Sequence, residues 1–81
     1  VRITVTAQIS HLCPFKDEID IGHVRLVYSE PTELAALAEY LRSFTDQVVT
    51  HEVLTQEIAK HTGAEVTTWW TTSGLHVEVT A

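Results

Sequence analysis

Along the first ten residues, Val1, Ile3, Val5, Ala7 and Ile9 alternate with Arg2, Thr4, Thr6, Gln8 and Ser10, the period-two pattern of a strand with one buried face. Pro14 interrupts it. Phe15 to Asp20 reads as a polar loop carrying Lys16, Asp17, Glu18 and Asp20, and alternation resumes from His23 to Tyr28 through Val24, Leu26 and Tyr28. The period then changes. From Pro31 or Thr32, apolar residues fall at Leu34, Leu37, Ala38, Leu41 and Phe44, the spacing of one helix face, with Thr32 as the expected N-cap. Thr45, Asp46 and Gln47 break this helix from a second, which starts between Val48 and Thr50 and ends at His61. Its burial candidates are Val53, Leu54, Ile58 and Ala59, and Gly63 stands at its C′ position. Glu65 to Thr72 is rich in Thr, Val and Trp, and Leu75, Val77 and Val79 alternate with His76, Glu78 and Thr80. These read as two strands joined by a Ser73-Gly74 hairpin turn.

The expected order is ββααββ in one domain spanning residues 1–81, an α+β class. A four-stranded antiparallel sheet with both helices on one face buries what the patterns mark. A chain of 81 residues hides only roughly 60% of its unfolded surface, so stability is expected to lean on partner subunits, with the other sheet face and the edges open to assembly. The formal net charge of -6 disfavours extended contact with phosphates. A single cysteine precludes an internal disulfide, and no leader or long apolar span is visible, so a cytoplasmic, membrane-free setting is expected.

Candidate chemistry is sparse. Cys13 in His11-Leu12-Cys13-Pro14 is a potential nucleophile, against the bland reading of a small buried hydrophobe. Asp20 offers general acid-base chemistry, or is only a solvated loop acid or a cap. Glu52 suits the helix dipole by position alone. Alternatively, its carboxylate accepts two parallel N-H bonds from a guanine-like edge, with His51 orienting the ligand or moving a proton. His11, His23, His51 and His61 invite a metal reading, but no H-x-H or HExxH spacing appears, so no metal is assigned. Trp69 and Trp70 point to opposite sheet faces, one toward the core and one outward.

Together, Leu12-Cys13-Pro14 with Asp20 seven residues after the cysteine, then Glu33, Leu37, Tyr40-Leu41, Ser43-Phe44 and His51-Glu52, resemble the QueF family of nitrile reductases acting on 7-cyano-7-deazaguanine. The resemblance implies a tunnelling fold (T-fold), a multisubunit ring with active sites between subunits, a covalent thioimide on Cys13, a proton from Asp20, and a ring grip by Glu52 beside His51. One motif departs. Where the reductases carry Glu-Ser-Lys-Ser-x-Lys for NADPH, this chain reads Glu33-Leu34-Ala35-Ala36-Leu37-Ala38, so no cofactor is expected.

The chain is thus similar to the QueF-like branch, in which ammonia replaces hydride and an amidine results, as in archaeosine formation on transfer RNA. A free base or a modified base in DNA stays open as substrate. The competing expectations are a non-catalytic ring protein that binds a purine or pterin, and a reductase with a rebuilt cofactor site.

Overall fold

The computed structural model describes residues 1–81. Its elements are β1 (Ile3–Leu12), β2 (Ile19–Tyr28), α1 (Leu34–Arg42), α2 (His51–Thr62), β3 (Glu65–Thr72) and β4 (Leu75–Thr80). They form the expected ββααββ order. The four strands make one sheet in the order β1-β2-β3-β4, every neighbouring pair antiparallel. α1 lies over β1, and α2 over β3 and β4.

Strand parity decides what is buried. Ile9 on β1, Val24 and Leu26 on β2, and Val66 and Trp70 on β3 face the helices, and meet Leu37 and Leu41 of α1, Leu54 and Ile58 of α2, and Phe44 and Ala64 beyond the helix ends. Each fully buried aliphatic side chain of this set contributes about 1.5 to 3 kcal/mol. Trp70 is in this core and Trp69 faces outward, beneath the Arg25 guanidinium at 5.2 Å. The β3–β4 connection is a two-residue turn with positive φ at both Ser73 (54°) and Gly74 (75°), the hairpin geometry that a Ser-Gly pair permits.

Several local expectations need correction. α1 begins later than expected: Glu33, not Thr32, is its N-cap, and both Glu33 carboxylate oxygens accept backbone N-H bonds, from Ala35 at 3.0 Å and Ala36 at 2.7 Å. A carboxylate satisfies two of the four orphan donors where a threonine hydroxyl satisfies one. α2 follows its signals more closely, with Thr50 Oγ1 accepting from Val53 N and Gly63 closing the helix at φ 71°. Leu34, Val53 and Leu75 are exposed. Thr55, on the buried side of α2, takes the place expected of Val53 because it is tied into a polar chain described below.

The largest correction concerns β2. It starts at Ile19, so Asp20 belongs to a strand and not to a loop, and it pairs directly with His11 of β1. Ile19 and Ile21 are exposed while Asp20 is mostly covered, because Asp20 has the same parity as Val24 and Leu26.

Candidate active site

The helix-facing side of the sheet turns polar at one end. Beyond Ile9 comes His11, beyond Val24 and Gly22 comes Asp20, and beyond Trp70 comes Thr72, each two residues further along its strand. β1 then leaves the sheet. Leu12 bonds to the segment ahead of α2, donating to Gln47 O at 2.9 Å and accepting from Val49 N at 3.2 Å. That short parallel pairing sets the start of α2 beside Cys13. Cys13 N donates to Glu18 O at 3.1 Å, closing the loop between β1 and β2.

The result is a cavity of about 270 Å³ lined by His11, Cys13, Asp20, His51 and Glu52, with Lys16 and Ser73 on its rim. All four site residues expected from the sequence therefore share one cavity. Cys13 is half-buried and Glu52 exposed. Lys16 Nζ donates to Ser73 Oγ at 3.0 Å, linking the cysteine loop to the β3–β4 turn across the cavity mouth. Lys16 is the only cation in the lining.

Two groups central to the geometry carry weak sequence signals. His11 is fully buried, and its Nδ1 lies 3.1 Å from Leu12 O. A carbonyl only accepts, so Nδ1 carries the hydrogen and the neutral ring has its lone pair on Nε2. That Nε2 has no hydrogen-bond partner and lies 3.7 Å from Asp20 Oδ2, while His51 Nε2 approaches the same oxygen to 3.1 Å. Burial holds the His11 imidazole below the ordinary histidine value of 6.5; His51 pushes the same way, while the Leu12 carbonyl and Asp20 partly oppose.

Trp70 is the second. His51 stacks on its indole at 4.4 Å with an interplanar angle of 5°, and His11 meets it edge-on at 4.8 Å. The indole N-H donates to Thr68 Oγ1 at 2.8 Å. With that oxygen accepting, the Thr68 hydrogen goes to Thr55 Oγ1 at 2.6 Å, and the Thr55 hydrogen to His51 O at 2.7 Å. Each hydroxyl in this buried chain both accepts and donates. It locks the first turn of α2, and with it His51, to β3. Gly22 completes the support: a Cβ there would overlap the Trp69 carbonyl oxygen and the Trp70 ring, so only glycine lets the indole lie flat against β2.

The remaining expected metal candidates stand elsewhere. His23 is on the outer sheet face, and His61 stacks on Tyr40 at 3.9 Å. No helix is long and apolar enough to cross a membrane.

A scan against protein-family models and a search of curated proteins found no match. Among solved structures, the archaeosine synthase QueF-Like in its apo form is similar with a TM-score of 0.93, over 99% of this chain and 90% of that one, at 18% identity. This chain has the tunnelling fold (T-fold).

Proposed function

We propose that the protein is a QueF-like enzyme of 7-deazaguanine metabolism. It captures the nitrile of 7-cyano-7-deazaguanine on Cys13 and releases it as an amidine with ammonia. The observation that carries this reading is the convergence of Cys13, Asp20, His51 and Glu52, spread over forty positions of sequence, on one cavity. The likeness to a protein named archaeosine synthase supports the substrate class.

The chemistry balances without a redox step. Cys13 sulfur forms a bond to the nitrile carbon, and the thiol proton reaches the nitrile nitrogen through Asp20, giving a thioimide. His51 holds the Asp20 carboxyl during this transfer. Ammonia then adds to the same carbon, the C–S bond breaks, and the sulfur regains a proton as the amidine leaves. Glu52 accepts N-H bonds from the deazaguanine edge, a pairing that a carboxylate makes with both oxygens.

Reduction is disfavoured by α1. Its first turn presents Leu34, Ala35 and Ala36, and two of its free backbone donors are taken by Glu33, so a cofactor with several phosphate charges would meet no cations and few free N-H groups. The net charge of -6 and the single lining lysine favour a free base over a polynucleotide. Unpaired edges on β1 and β4 suit assembly into a ring whose neighbours complete the site.

Intact mass spectrometry after incubation with 7-cyano-7-deazaguanine tests the reading. The wild type gains the mass of one nitrile, Cys13→Ala gains none, and added ammonium discharges the adduct as amidine. An adduct that survives Cys13→Ala, or none on the wild type, removes the thioimide. Ligand affinity without an adduct would point to the non-catalytic purine or pterin binder, and nitrile-dependent NADPH oxidation to a reductase.

A further inference from the structure

We infer that His11, Asp20 and His51 form a binding site for a divalent late transition-metal ion of the zinc type, occupied in competition with proton transfer by Asp20. The three donor atoms lie within 4.8 Å of one another, and two of the separations, 3.1 and 3.7 Å, converge on Asp20 Oδ2. Ligand atoms bonded to tetrahedral zinc at about 2.0 to 2.1 Å stand roughly 3.3 Å apart, between these two values.

The decisive observation is His11. Its tautomer is set by the bond from Nδ1 to Leu12 O, the backbone-carbonyl support that metal-ligating histidines commonly have. Its other nitrogen is buried, unpartnered and aimed at a carboxylate. A lone pair facing a carboxylate oxygen is repulsive unless a cation sits between them. A hydrogen bond would need an approach of about 2.7 to 3.2 Å, shorter than the His11 separation. A metal ion bridges that gap, and takes a lone pair from His51 Nε2 once the hydrogen that this nitrogen donates to Asp20 has been released or moved to Nδ1. Two imidazoles with one carboxylate select zinc, copper, nickel or iron over magnesium or calcium. Asp20 and His51 side chains are each 12% exposed, on the side of the cavity, so a fourth position opens toward the space that Cys13 lines.

The site shares Asp20 and His51 with the proposed catalytic cavity but does not depend on that reading, because metal binding is measured without nitrile. Calorimetric titration of the apo chain with zinc should give one ion per subunit. His11→Ala should weaken binding by at least about 100-fold, beyond the 10- to 100-fold typical of changes outside the ligand set. Asp20→Asn, nearly isosteric, should do the same and carries the test if His11→Ala fails to fold. Cys13→Ala and His61→Ala should bind as the wild type does. Absence of stoichiometric binding, unchanged affinity in Asp20→Asn, or loss in Cys13→Ala would overturn the inference. Zinc binding with no nitrile adduct would leave this site standing and remove the proposed function; an adduct with no zinc binding would do the reverse.

Discussion

The two helices begin with the same acid and use it in opposite ways. At the start of α1, both oxygens of Glu33 are consumed by its own helix, accepting from Ala35 and Ala36. At the start of α2, Thr50 does the capping, and Glu52 is left exposed on the cavity wall. Helix dipoles favour an acid at either position, so charge preference alone does not separate them. What separates them is the cap. A helix capped by its carboxylate has closed its first turn, whereas one capped by a hydroxyl leaves a carboxylate for a ligand. The surroundings reinforce the difference: α1 starts in the open, while the first turn of α2 is bolted to β3 through Thr55, Thr68 and Trp70.

Exchanging the two acids for amides should give the largest effect. Glu52→Gln should weaken binding of 7-cyano-7-deazaguanine by about 10- to 100-fold, the size of a lost charge-assisted hydrogen bond, with an unchanged melting temperature. Glu33→Gln should leave affinity untouched. Equal effects of the two on ligand binding, measured by calorimetry, would break the distinction.

The buried chain behind α2 comes next. Thr55→Val keeps the shape but removes the link between Thr68 and the His51 carbonyl, leaving the buried Thr68 hydroxyl donor without a partner. Urea unfolding should show a loss of about 1 to 3 kcal/mol, and ligand affinity should fall with it because His51 is no longer fixed. Gly22→Ala should cost about as much, typically 1 to 3 kcal/mol for overpacking, by pushing Trp70 away from β2. A neutral outcome for Thr55→Val would mean that α2 is held by its apolar contacts alone.

At α1 the corresponding loss is smaller. Glu33→Ala should cost about 1 kcal/mol, the usual effect of removing a cap, with no change at the cavity. A loss as large as that of Thr55→Val would show that the open helix start carries as much of the fold as the anchored one.

These contrasts also explain what the sequence discloses. β1, the hairpin at Ser73-Gly74, the glycine stop at Gly63 and the core positions Leu37, Leu41, Leu54 and Ile58 are legible because local periodicity and turn chemistry dictate them. The start of β2 is not. Ile19 and Ile21 face outward while Asp20 faces the helices, so the apolar pattern is inverted for one turn of the pleat, and a polarity-based reading begins the strand too late. His11 suffers likewise: as the next odd position after Ile9 it belongs to the buried face, a parity that marks it once β1 is carried past Ser10. Its meeting with His51 comes from the Leu12–Val48 pairing, which no periodicity signals. The resemblance pointed to Cys13, Asp20, His51 and Glu52, whereas the contacts that His11, Trp70 and Gly22 make around them follow only from packing.

The smallest effect lies where the two helices touch. The Tyr40 hydroxyl of α1 donates to Glu57 O of α2 at 3.3 Å, and its ring is covered by His61 and Phe44. Burial raises the phenol above its ordinary value of 10.0, and Glu57 adds to the shift. The unfolded chain therefore loses this proton first. Between the unfolded and the folded value the folded state binds more protons, so stability falls as pH rises. Below about pH 10, the ordinary phenol value, Tyr40 contributes no slope. Urea melts from pH 8 to 11 should show an alkaline decline for the wild type that is reduced in Tyr40→Phe, while the two chains differ little at pH 8. The same decline in both would assign it to other groups, and would leave the α1–α2 contact as packing without an electrostatic part.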